Sequence, residues 1–197
     1  MSTNCNIPAI TPDELVKLGL KGITASILEC KRCQLHENAI NKVIMRGAET
    51  PKVLFIGEAP GKNEDEAGIP FCGRAGKVLD ELIAYMDLKE NEYAIINTVK
   101  CRPPNNRKPT QKELKTCRPF LLAQIELLDP QVIILLGNTA EQAFCVSALD
   151  WGEAIATPEG KHLIKLYHPA ALLYRRSLME KQKEMIDMNK GLWQNTR

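Results

Sequence analysis

"KVLFIGEAPG", residues 52–61, is a run of branched and aromatic apolar side chains that stops at a glycine and a glutamate. Val53, Leu54, Phe55 and Ile56 are apolar without alternation, the pattern of a strand buried on both faces. Gly57-Glu58-Ala59-Pro60-Gly61 then turns the chain sharply. Strands buried on both faces belong to parallel sheets covered by helices, so helical segments are expected between this strand and its neighbours.

Working outward, the alternation is present. Thr11-Pro12-Asp13-Glu14 reads as a capped helix start, with the helix expected to run towards Cys30. Residues 75–88 carry apolar side chains at helical spacing, and "YAIINTV" (93–99) is strand-like. Thr110-Gln111-Lys112-Glu113 is a second capping box, opening a helix through residue 128. Pro119 is expected to interrupt or kink that helix early. "QVIILLG" (131–137) is the clearest buried strand, followed by helical 138–145, a fourth strand at 162–167 and a last helix at 172–188. The fold class predicted is α/β: a three-layer α/β/α sandwich around a central four-stranded, mostly parallel sheet. Residues 1–29 read as an N-terminal extension and helix, and 30–197 as the domain.

Composition agrees with one folded domain. The chain has 197 residues, 44% hydrophobic and 25% charged, so disorder is not expected. Met1 is not followed by a basic and then apolar run, and no apolar stretch approaches the roughly 20 residues of a membrane span, so the chain reads as cytoplasmic. A net charge of +2 decides little, but its distribution does. Between Lys100 and Arg118 stand seven basic residues against one acid, Glu113, a local field that attracts a polyanion.

In open α/β sheets ligands gather beyond the carboxyl ends of the strands. There the sequence puts Glu58, Asn97, Gly137-Asn138 and His168-Pro169, so a carboxylate, an amide and an imidazole converge beside the basic loop. A phosphate-binding loop does not fit, because Gly57 and Gly61 are separated by three residues rather than four and Lys62 is followed by Asn63. A dinucleotide fingerprint is missing as well.

Seven cysteines in a reducing compartment point to metal or reactivity rather than disulfides. Cys30 and Cys33 form a C-x2-C, and Cys101 and Cys117 form a second pair separated by fifteen residues. Spacing alone leaves zinc and an iron–sulfur cluster open, with zinc ahead. Cys5, Cys72 and Cys145 read as packing residues.

"GEAPGKNED" (57–65), "GIPFCGRAG" (68–76), "INTVKCRPP" (96–104), the four paired cysteines and "HPAALL" (168–173) together resemble the family 4 uracil-DNA glycosylases. The resemblance runs in order from Cys30 to about Arg175. It implies hydrolysis of the N-glycosidic bond of deoxyuridine, a partner in uracil-containing DNA, and a monomer. It also implies a 4Fe–4S cluster on Cys30, Cys33, Cys101 and Cys117, in place of zinc. By the same resemblance Phe71 stacks on the base, Asn97 reads it and the backbone near Ala59 contacts it. His168 then donates to the leaving base, and Glu58 acts on the water, the sugar cation or the thymine methyl. Arg107, Lys108, Arg175 and Arg176 are expected at phosphates, and Leu172 or Leu173 in the gap left by the flipped base. This chain departs from the family at Ala171, where an aromatic is frequent, and at Cys72, where an aliphatic is commoner. A non-catalytic nucleic-acid-binding module with a structural metal is the alternative; it has no need of Glu58, Asn97 and His168 together.

Overall fold

The computed structural model describes residues 10–144, 149–175 and 177–194. Its first half runs α1 (Pro12–Val16), α2 (Gly19–Leu28), α3 (Leu35–Asn38), β1 (Arg46–Gly47), β2 (Val53–Gly57), α4 (Lys62–Ala67), α5 (Arg74–Tyr85) and β3 (Tyr93–Asn97). A single 3-10 turn (Pro104–Asn106) leads to α6 (Gln111–Leu128), β4 (Val132–Leu136) and α7 (Asn138–Phe144). The chain ends with β5 (Ala154–Ala156), β6 (His162–Leu166), α8 (Pro169–Tyr174), α9 (Ser177–Asn189) and α10 (Gly191–Gln194).

The sheet has six strands in the order β1-β3-β2-β4-β6-β5. The inner four, β3-β2-β4-β6, are parallel and are the four strands expected from the sequence. Expecting only four strands was short by two, because β1 and β5 add antiparallel edges. Those edges are two and three residues long, too short to carry a periodic signal.

Alternation along each inner strand feeds two cores. Val53, Phe55, Ile95, Ile134 and Ile164 face α5, α8, α9 and α10. Leu54, Ile56, Ile96, Leu135 and Leu163 face α6 and α7. The helix after β2 therefore covers one face and the helix after β4 the other, which opens a crevice between these neighbours at their carboxyl ends. A smaller cluster of Leu15, Ile23, Ile27, Phe120 and Ala123 packs α1 and α2 onto the outside of α6.

Three helix boundaries differ from the sequence reading. The first helix breaks after Val16 and restarts at Gly19, which has a left-handed φ of 66°. Pro119 lies inside α6 without ending it. Leu114 on one side of it and Phe120 and Leu121 on the other are buried, so packing outweighs the missing backbone bond. The helix expected over 172–188 is two: His168 caps α8 with Pro169 at its first turn, and α9 begins afresh at Ser177, with α10 following it. No helix among the described residues is long and apolar enough to cross a membrane.

Candidate active site

Gly57 and Asn97 end β2 and β3 and are partners in the parallel register. A Cβ on Gly57 would collide with Asn97 Oδ1 and come within 2.6 Å of the Phe71 ring. Glycine here lets an amide and an aromatic ring close on one strand end. Asn97 is 1% exposed, and its Oδ1 has no hydrogen-bond partner among the described residues. A buried acceptor left unpaired costs ~1–3 kcal/mol, so the position is built for an incoming N–H.

Phe71 holds a left-handed φ of 53°, uncommon for a bulky side chain. Its carbonyl accepts from Arg46 Nη1 at 3.1 Å, and Arg46 is itself paired with Asp80. Gly76 provides the room, since any Cβ there would run into the Phe71 carbonyl. The Phe71 and His168 rings lie 5.7 Å apart, tilted by 33°.

His168 caps α8 with its ring: Nδ1 accepts from the Ala170 N–H at 3.1 Å. The neutral ring then carries its proton on Nε2, leaving that N–H free to donate. Burial lowers its pKa from the ordinary 6.5, against smaller opposing pulls from Glu58 and Glu64. At neutral pH the ring is an uncharged donor. Glu58 is fixed on the other wall, Oε2 accepting from Thr139 Oγ1 at 2.5 Å across the crevice between β2 and β4.

Glu58, Ala59, Phe71, Asn97 and His168 all line one cleft of about 310 Å³, the size of a small-ligand site. Pro103, Asn106 and Arg107 line it too, so the basic loop is one of its walls. The sequence reading missed Glu64, which also faces the cleft. Its two carboxylate oxygens accept from Gly61 N–H at 3.1 Å and Gly73 N–H at 2.9 Å, tying the Glu58 loop to the Phe71 loop. A signal was available, because Glu64 stands at the capping position of a helix opened by Gly61. Arg46 and Thr139 have none, since their partners are 25 and 81 residues away in the chain.

The loop's charges are partly neutralised within the protein. Arg107 donates twice to Glu113, at 2.8 and 2.7 Å, and Glu113 also accepts from the Thr110 N–H at 2.7 Å. The guanidinium and the Thr110 bonds hold the Glu113 carboxyl down to about 2. Lys108 and Arg175 are exposed, while Arg176 lies outside the described residues. Leu172 is 3% exposed in the core, so it has no side chain free to fill a gap in DNA, and Leu173 packs beside it half-buried.

Cys30, Cys33, Cys101 and Cys117 line one cavity, walled by apolar Ile27, Leu35, Val99 and Phe120 and by Arg32, His36, Lys42, Lys100 and Thr116. Among the described residues no three His, Cys, Asp or Glu side chains group about the point of a single ion. Burial and neighbouring thiols push Cys101 up to about 12. Burial likewise takes Cys117 up to about 11, Lys100 opposing it. Such thiols ionise only with a cation beside them, and an all-thiol set in an apolar pocket suits a thiolate-held iron–sulfur group. Cys72 is exposed rather than a packing residue, because the turn after Phe71 swings it outward. Cys5 and Cys145 lie outside the described residues. Lys100 is 2% exposed, and burial lowers its pKa to about 8.

Known proteins are similar to this chain in sequence. The family model of the uracil DNA glycosylase superfamily matches residues 44–193. A type-4 uracil-DNA glycosylase of Archaeoglobus fulgidus is 40% identical over 173 residues, covering 82% of this chain and 86% of that protein. One of Thermotoga maritima is 41% identical over 172 residues, covering 85% and 88%. A type-5 uracil-DNA glycosylase of Mycobacterium leprae is 33% identical over 152 residues, covering 63% and 65%. With the matched region running from just before β1 into α10 and the long relatives all of one type, the chain belongs to the uracil DNA glycosylase superfamily and, within it, to the type-4 uracil-DNA glycosylases.

Proposed function

We propose that this chain hydrolyses the bond between deoxyribose C1′ and uracil N1 in DNA, releasing uracil and leaving an abasic site. The observation that carries the reading is the unpartnered, buried Oδ1 of Asn97 at the floor of a cleft that also holds a neutral His168. Uracil presents an N3–H donor beside its O4 acceptor, and a neutral amide answers both; cytosine presents the reverse at both atoms. The target nucleotide is flipped from the duplex to reach the cleft, at an unstacking cost of a few kcal/mol. Phe71 then stacks on its face, and the backbone at Ala59 closes the edge of the site.

As the glycosidic bond breaks, negative charge grows on uracil O2 and positive charge on the sugar. The Nε2–H of His168 donates to O2, a fixed dipole where charge develops and the largest single aid of its kind. Glu58, anchored by Thr139, supplies the carboxylate that both the cationic sugar and the attacking water need. Among the described residues no lysine lines the cleft, which favours hydrolysis over an amine-bound intermediate and its lyase chemistry.

Cys30, Cys33, Cys101 and Cys117 would hold a 4Fe–4S cluster, as their placement around a cavity, with no three such side chains among the described residues grouped about one ion, supports. Bound there, the cluster would act as a structural cross-link, since glycosidic hydrolysis moves no electrons. The residues it would join are the ends of α2 and β3 and the body of α6, which frame the basic loop. Lys108, Arg175 and Arg176 are the phosphate contacts, with Arg107 at the cleft wall. We read the active unit as a monomer and the protein as cytoplasmic, where the free thiols among the described residues would stay reduced.

The test is release of free uracil from a uracil-containing oligonucleotide, with an alkali-labile site left behind. An oligonucleotide that is bound but left intact would support the binding-module alternative and overturn this reading.

A further inference from the structure

Lys100 joins the cysteine cavity to the end of the base-reading strand. It lines the cavity with the four cysteines, and its backbone hydrogen-bonds the Cys117 thiol. Its carbonyl accepts from the Val43 N–H at 2.8 Å, which ties the same residue to the segment before β1. Its Nζ donates to the main-chain carbonyl of Asn97 at 2.7 Å. The side chain is fully buried, and no carboxylate pairs with it among the described residues.

A lysine in such a place is costly unless something offsets its desolvation. Two things do so here. Asn97 is the last residue of the β2–β3 ladder, and Lys100 Nζ hydrogen-bonds its carbonyl. Four thiolates around an iron–sulfur core would leave net negative charge in the cavity, and Lys100, together with Lys42 and Arg32 on the same cavity, would balance part of it.

We propose that Lys100 is a positioning residue: it holds the Asn97 peptide, and so the direction of the base-reading amide, against the cysteine site, and it supports retention of the metal group there. Its contribution to excision runs through Asn97, because Nζ does not line the cleft. Amide direction matters at this level, since a binding constellation works only within about 0.5 Å of its productive geometry. The metal half of the proposal rests on reading the four cysteines as cluster ligands.

The test compares the parent with Lys100→Met, which loses donor and charge, and Lys100→Gln, which keeps a donor. Iron per chain, decay of visible absorbance in chelator, DNA affinity and single-turnover uracil excision at saturating enzyme are measured for each. Lys100→Met is expected to lose its colour faster and to excise about tenfold more slowly, the scale of one missing hydrogen bond, with DNA affinity unchanged within about twofold. Lys100→Gln is expected to recover most of the excision rate but not the colour retention. Parent-like excision and colour retention in Lys100→Met would overturn the proposal. So would equal loss of DNA affinity and rate in both variants, the mark of a general folding role, as would failure of both to fold. If only Lys100→Met fails to fold, Lys100→Gln decides: fast colour loss with most of the rate kept supports the proposal, and anything else overturns it. A parent protein without iron would sink the cluster reading instead, leaving the tether to stand or fall on excision alone.

Discussion

Gly57 and Asn97 face each other at the ends of two parallel strands, and the missing side chain of one makes room for the amide of the other. The φ of Gly57 lies outside the left-handed region, so the requirement is space and not backbone freedom. Gly57→Ala should therefore still fold, at a cost of about 1–3 kcal/mol for the crowding, and push Asn97 and Phe71 out of place. Excision should fall by at least about tenfold, with DNA affinity nearly unchanged. Single-turnover rates beside a thermal melt check this; a fully active alanine variant would mean the strand ends are not packed as described.

The His168 ring is useful because its Nδ1 is already engaged by Ala170, which fixes the donor on Nε2. Replacing it, as in His168→Leu, should lower the excision rate by about 10²–10³, the usual cost of removing one donor from a developing anion. A pH profile gives an independent check. Protonating Nδ1 breaks the helix cap, and the pKa is lowered by burial, so neutral His168 persists below pH 6.5. The folded pKa is the depressed one, so this contribution to stability is complete above 6.5 and disappears as pH falls through the folded value. The acid limb of the single-turnover rate should accordingly lie below pH 6.5; a limb above it would contradict a buried neutral ring.

Arg107 and Glu113 brace the basic loop against the start of α6. The Glu113 pKa is about 2 in the fold against an ordinary 4.5, chiefly through the bond from Arg107, so the stability it adds is present above 4.5 and is lost as pH falls towards 2. The melting temperature of the parent should therefore drop more steeply over that window than that of Glu113→Gln. Parallel curves would show the pair to be idle.

Among the described residues the exposed Lys108 side chain takes no such internal duty. Neutralising it should weaken DNA binding alike across sequences and flatten the salt dependence, by roughly one unit of slope for each phosphate it pairs with. Arg107→Gln should do this and also loosen the loop, so its melting temperature should fall while that of Lys108→Gln holds. Affinity titrations at several salt concentrations, with melts, separate the two.

Much of this was legible in the chain because it is local. Runs such as "QVIILLG" are buried on both faces and cannot be mistaken for edges, and both Thr-x-x-Glu boxes cap helices. Glu58, Asn97 and His168 could be grouped before any coordinates, because parallel strands bring their carboxyl ends to one edge. What escaped is non-local or depends on packing. Nothing near Arg46 says that it will hold the Phe71 carbonyl, and nothing near Pro119 says that its neighbours bury deeply enough to keep the helix whole. The internal use of Arg107 was hidden for a different reason: a sequence shows charge without showing which partner takes it.

Asn97→Asp tests the central claim most directly. The substitution keeps the size of the side chain but, when ionised, leaves acceptors only, so one oxygen faces the N3–H of uracil and the other faces O4, acceptor against acceptor. The added negative charge also opposes the charge building on the departing base. Single-turnover release of uracil and of cytosine from matched oligonucleotides, across a range of pH, is the measurement. Uracil excision should fall by orders of magnitude, and any cytosine excision should be slow and grow as pH falls towards the aspartate pKa. If Asn97→Asp removes uracil nearly as fast as the parent, Asn97 does not read the base and the site assignment is wrong.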